Sequence, residues 1–123
     1  MTIAQPSPRP RVSADAIPRD YNFAADILKR NLDAGRADKL AYVDQRGGCT
    51  YGELAERVER FGHVLRSLGI RREERILIGL ADTVDWPIAF LGAIKAGIVA
   101  RDNDVGELGG AAGGLREFGI ELR

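Results

Sequence analysis

Four groups of residues in this 123-residue chain have side chains that could do chemistry, and each also has a plainer possible role. Asp82, Thr83 and Asp85 follow a short apolar run, at the carboxyl end of a strand, where open α/β sheets place ligands. The plainer role is capping the helix that follows, for which Asp82 or Thr83 has the right side chain. His63 would be a general base if it faced a cleft, but its spacing puts it on the polar arc of a helix as a solvated side chain. Cys49 would need a neighbouring base to become a nucleophile, and none is identifiable, so it reads as a small strand residue. The run Gly106 to Gly114 suggests a phosphate cradle but lacks both the GxxxxGK[ST] arrangement and a strong preceding strand, so it reads as a linker. No catalytic constellation emerges, and no residue is assigned as catalytic, cofactor-binding or metal-ligating.

The elements that would position these residues centre on Glu74 to Ala100. Ile76-Leu77-Ile78-Gly79-Leu80 is a continuous apolar run, the pattern of a parallel strand covered on both faces. The following helix has Pro87 in its first turn and stops at Gly97. Its residues Val84, Trp86, Ile88, Ala89, Phe90, Leu91, Ala93, Ile94 and Ala96 make it apolar nearly all round, so it should be buried on several sides. Gly97 to Ala100 opens a second strand, completing a βαβ unit with a right-handed crossover.

Upstream, residues 1 to 20 hold four of the five prolines and read as an extended or disordered leader. Asn22 can cap a helix in which Phe23, Ile27, Leu28 and Leu32 share a core-facing side, ending at Gly35. A strand over Lys39–Asp44, turn chemistry at Gln45 to Gly48 and a return at Cys49 to Tyr51 predict a β-hairpin. Thr50-Tyr51-Gly52-Glu53 fits a capping box. It opens a helix with Tyr51, Leu54, Ala55, Val58, Phe61, Leu65 and Leu68 on one face and Glu53/Arg57 and Glu56/Arg60 as i,i+4 pairs, each worth about 0.2–0.5 kcal/mol. Gly69 closes it. Beyond Ala100, six glycines in 23 residues and no apolar period predict a loosely ordered tail, with Arg101 to Asp104 breaking the second strand.

Composition sets the outer limits. Eighteen basic and eighteen acidic residues cancel, which gives no pointer to nucleic acid or an anionic membrane. One cysteine cannot form an internal disulfide, and one histidine cannot build a metal site with it alone. With neither a signal-peptide core nor a membrane span, the expected location is the cytoplasm.

Residues 20 to 99 closely resemble the start of benzoate-CoA ligases and related aryl-CoA ligases of the AMP-forming adenylating superfamily. The resemblance rests on Tyr21-Asn22, Thr50-Tyr51-Gly52-Glu53-Leu54, Glu74-Arg75-Ile76, and Asp82-Thr83-Val84-Asp85-Trp86-Pro87 followed by Phe90-Leu91-Gly92-Ala93. It implies an α/β fold that is an incomplete piece of the large N-terminal domain, built as helix, β-hairpin, helix and βαβ with flexible ends. For the parent it implies activation of a carboxylate with ATP and Mg to an acyl-adenylate, then transfer to the thiol of coenzyme A. The family's phosphate loop, its acidic ribose-binding motif, its aryl pocket and the lysine of its small domain have no counterpart here. The piece alone is therefore expected to bind none of these cofactors and to be inactive. The departure after Ala100 fits a frameshifted or truncated gene, and the expected partner is the missing remainder of the ligase or a full-length homologue. The alternatives are a non-catalytic module that docks onto such a ligase, and a small nucleotide- or acyl-binding protein using the Leu80–Asp85 turn.

Overall fold

The computed structural model describes residue 11 and residues 13–102. The leader expected over residues 1 to 20 therefore lies mostly outside the described residues, as do the Gly106–Gly114 run and the rest of the tail. A single 3-10 turn at Ala14–Ala16 precedes the main elements. These are α1 (Phe23–Asp33), β1 (Leu40–Asp44), β2 (Gly47–Thr50), α2 (Tyr51–Ser67), β3 (Arg75–Ile78), α3 (Asp85–Lys95) and β4 (Val99–Asp102). β1 and β2 form an antiparallel hairpin, and β3 and β4 form a separate parallel pair.

The central element is α3, as its all-round apolar surface requires. Its contacts run to α1, α2, β3 and β4, and Pro87, Ile88, Ala89, Leu91, Gly92 and Ala93 are buried along it. The closest approach is to α2. A Cβ added to Gly92 would stand 2.7 Å from Phe61 Cδ1 and 3.1 Å from the Val58 carbonyl oxygen, so the absent side chain at Gly92 lets the two helices cross this closely. The core joins Leu54, Val58, Phe61 and Leu65 of α2 to Ile88, Leu91 and Ala93 of α3, with Ala24 and Leu28 of α1 closing one side.

All three helices end by the same device. Gly35, Gly69 and Gly97 each take a left-handed φ, between +75 and +79°. After each glycine the next N–H reaches back to a carbonyl in the last turn: Arg36 to Asn31, Ile70 to Leu65 and Ile98 to Ala93. These six-residue closures satisfy carbonyls the helices would otherwise leave open, and glycine adopts the required φ without a Cβ clash.

Four expectations change. On α1, only Ala24 and Leu28 are buried, while Phe23, Ile27 and Leu32 are exposed, Phe23 at 47%. The helix touches the body along one narrow line, so helical spacing marked a wider stripe than there are neighbours to cover. Gly47 and Gly48 lie in β2 rather than in the turn, which is only Gln45-Arg46. Gly48 faces the Leu40 side chain, where a Cβ would meet Cδ2 at 2.5 Å. The second strand is not broken at Arg101, since Leu77 pairs with Arg101 and Ile78 with Asp102. Ladder bonds use backbone groups, and a charged side chain can remain in the ladder if it points to solvent. Finally, where both faces of β3 were expected to be covered, α3 is the one helix packed on it among the described residues.

Candidate functional site

The chemistry-bearing residues that the structure brings together are at the start of α3, and two of the three come from the hairpin. Asp44 ends β1 and accepts the Arg46 N–H through Oδ1 at 2.8 Å, the local bond by which an aspartate starts a turn. Its Oδ2 accepts the Val84 N–H at 2.9 Å, forty positions further along the chain. Arg46 then bridges the two elements, with Nη2 2.8 Å from Asp85 Oδ2 and 3.4 Å from Asp44 Oδ2. The Asp44 side chain is 8% exposed and the Arg46 side chain 60%, so the bridge forms a lid over a nearly buried carboxylate.

This arrangement replaces the cap expected from Asp82 or Thr83. The residue before α3 is Val84, in helical backbone geometry and with no side-chain cap of its own. The Thr83 N–H donates to Ala81 O at 2.7 Å and its carbonyl accepts from Trp86 N at 3.2 Å, so it takes part in a backbone turn, while Asp82 is exposed. An aspartate from another element does the capping because the turn places a carboxylate oxygen directly at a free N–H of the helix start. A helix-start signal near the helix could not reveal Asp44; the only local trace was an aspartate ahead of turn residues.

The Val84 N–H, and after it the Arg46 N–H, hold the Asp44 carboxyl below the usual carboxylate range against the opposing effect of burial. The sign follows from linkage. A group with a depressed folded pKa stabilises the fold above its unfolded value of about 4, and that stability is lost as pH falls through the folded value. Thermal unfolding followed between about pH 5 and pH 2 should show a steeper acid decline in the native sequence than in Asp44→Asn. Parallel declines would mean that the Asp44 bonds contribute nothing to the fold.

The remaining candidates stay apart. His63 is 67% exposed on α2, with Nε2 3.6 Å from Glu59 Oε1. Glu59 is held low chiefly by its hydrogen bond to Lys95, which ties α2 to α3. Cys49 is fully buried, its Sγ 3.6 Å from the Thr50 carbonyl, and desolvation pushes the thiol up, away from the reactive thiolate. A disulfide reagent should therefore leave the native chain unmodified for minutes and titrate its single thiol at once in urea. Rapid labelling of the native fold would show that β2 opens freely. Among the described residues, no group of three or more His, Cys, Asp and Glu side chains is placed to hold a metal ion, and none of the described helices is long and apolar enough to cross a membrane.

The capping box is only half formed. Thr50 Oγ1 accepts the Glu53 N–H at 3.2 Å, but the Glu53 carboxylate takes the Thr50 hydroxyl instead of a backbone N–H. The free N–H groups of Tyr51 and Gly52 go to the carbonyls of Lys39 and Ala37. Gly52 eases this close approach, since a Cβ there would lie 3.2 Å from the Ala37 oxygen, tighter than an ordinary contact.

This order of elements matches known proteins. Residues 28–101 fit the family model described as AMP-binding enzyme. The chain belongs to that family. Within it, the chain is 51% identical over 81 residues to the 4-hydroxybenzoate-CoA/benzoate-CoA ligase of Rhodopseudomonas palustris, a match covering 66% of this chain and 15% of that protein. It is 50% identical over 84 residues to the benzoate-CoA ligase of Thauera aromatica, covering 68% and 16%. The crystal structure of a benzoate-CoA ligase from Burkholderia xenovorans superposes with a TM-score of 0.65 at 50% identity, covering 68% of this chain and 17% of that one. The α/β fold is thus that of a small part of an adenylating enzyme. The match spans only 15–16% of the length of the curated relatives.

Proposed function

We propose that this AMP-binding family member is part of an aryl-CoA ligase of the benzoate type. The whole ligase would join a benzoate-like carboxylate to ATP, releasing pyrophosphate and forming an acyl-adenylate, and would then pass the acyl group to the thiol of coenzyme A. The observation that carries this reading is the identity of 50–51% over 81–84 residues to two relatives named for benzoate.

In this reading the described residues are scaffold. The carboxylates Asp44 and Asp85 are engaged by Arg46 and the Val84 N–H, which leaves them poorly suited to a magnesium–nucleotide complex, and His63 and Cys49 sit on separate elements. Their task is to set the position of α3 and of the Gly79 to Val84 segment at the carboxyl end of β3. The described residues on their own would turn over no substrate.

The test is a graft. Residues 21–101 replace the matched stretch of the Rhodopseudomonas palustris ligase, and CoA thioester formation from benzoate is assayed. The expected result is a folded chimera that makes benzoyl-CoA, with no turnover by the 123-residue chain alone. A chimera that folds, shown by circular dichroism, but has no activity with benzoate would overturn the reading.

A further inference from the structure

Residues 79–83 link β3 to α3, and Gly79, Leu80, Ala81 and Asp82 are exposed along this segment. It lies at the carboxyl edge of the parallel pair, since Ile78, the last residue of β3, stands beside Asp102 of β4. Open α/β sheets receive their ligands at that edge. Little holds the segment from within. One backbone bond, from the Thr83 N–H to the Ala81 carbonyl, lies inside it, and a Cβ added to Gly79 would meet nothing within 4 Å.

Its far end is tied to another element. Val84 is buried, and its N–H goes to Asp44 Oδ2 at 2.9 Å. Asp44 Oδ1 accepts the Arg46 N–H, and the Arg46 guanidinium joins the same carboxylate to Asp85. Each oxygen of Asp44 therefore has its own N–H donor. An asparagine cannot copy this, because one end of its side chain is an NH2 group that would face a donor. A cap from Thr83 would have served the helix alone. A cap from the hairpin does more, since β2 runs directly into α2 and the bond fixes segment 79–83 relative to that helix as well as to α3. Displacing a group that meets substrate by about 1 Å can cost about a hundredfold in rate.

We propose that Asp44 is a positioning residue for the ligase reaction, holding segment 79–83 through the Val84 N–H so that it meets one substrate in a single conformation. This rests on the assignment to benzoate-type CoA ligases.

The test has two arms. In the 123-residue chain, Asp44→Asn should speed hydrogen–deuterium exchange in peptides covering residues 79–84 at least about tenfold, with exchange in the buried part of α2 around Leu54 to Leu65 unchanged. In the grafted ligase the same substitution should raise the KM of one of benzoate, ATP and CoA at least about fivefold and leave the other two within about twofold. A cap with a purely structural role would instead lower kcat in step with the folded fraction and leave all three KM values unchanged. Arg46→Gln, at a side chain that is 60% exposed, should give the same two changes at smaller size, and it decides the matter if Asp44→Asn does not fold. Native exchange in the segment, faster exchange spread equally over the core, or three native KM values would overturn the proposal. An active graft whose Asp44→Asn form keeps its KM values removes the positioning role and leaves the ligase reading intact; a folded but inactive graft with Asp44 in place removes the ligase reading, and this role with it.

Discussion

Gly92→Val is expected to destabilise the chain by about 1–3 kcal/mol, the usual cost of forcing extra methyl groups into a packed contact. The bare Cβ alone would come within 2.7 Å of Phe61 Cδ1 and 3.1 Å of both Phe61 Cβ and the Val58 oxygen. The Phe61 ring is buried and cannot swing into solvent, and the Val58 oxygen is helical backbone, so α2 and α3 must move apart. For a domain of this size each kcal/mol lowers the melting temperature by roughly 4–8 °C. Gly62, on the facing side of the same crossing, should respond in the opposite sense. A Cβ there would meet only the Gly92 oxygen at 3.6 Å and the Ala96 Cβ at 3.8 Å, which is ordinary contact. Gly62→Ala should gain up to about 1 kcal/mol from helix propensity. Thermal unfolding of both variants checks the pair, and equal melting temperatures would mean that the helices do not cross this closely.

Leu65→Ala is expected to cost about 2–5 kcal/mol, the range for deleting a buried leucine side chain and leaving a partly collapsed cavity. Leu65 is 2% exposed and is among the largest fully buried side chains. Leu68, one turn later on what the spacing marks as the same face, is 40% exposed. Leu68→Ala should cost less than about 1 kcal/mol, because a half-exposed side chain loses little burial and leaves no closed cavity. Urea denaturation of the two variants separates them. If both cost the same, the last turn of α2 is covered in solution by something beyond the described residues.

The Leu65 and Leu68 pair shows how far periodicity reaches. The spacing of apolar residues in α2 placed both on one stripe, and a stripe of three- and four-residue steps is a local property. Which part of it is buried depends on the length of the partner helix, and α3 ends at Lys95, where Gly97 turns the chain into β4. The same limit applies to α1, where Phe23 and Ile27 satisfy helical spacing yet are only partly covered by the described residues.

Determined by the sequence alone were the element types and their order, because they depend on local chemistry. Asn22 caps α1 by accepting the Ala25 N–H at 3.1 Å, Thr50 caps α2, and Gly35, Gly69 and Gly97 end the helices in a backbone geometry that suits glycine. The all-round apolar α3 had to become the centre for the same reason, since no face of it could be left in water without cost. The likeness to aryl-CoA ligases was also legible, in motifs such as Asp82 to Pro87. Only the tertiary structure decided which residue caps α3, since Asp44 lies forty positions from the Val84 N–H it accepts. It also decided that Asn22 Nδ2 donates to the Ile94 carbonyl at 2.8 Å, joining the start of α1 to the end of α3. These bonds depend on how hairpin and helices are brought together in space, and a pattern of neighbours along the chain holds no record of that. The exposure of Val99 was decided in the same way, since no described helix packs on its side of the β3–β4 pair.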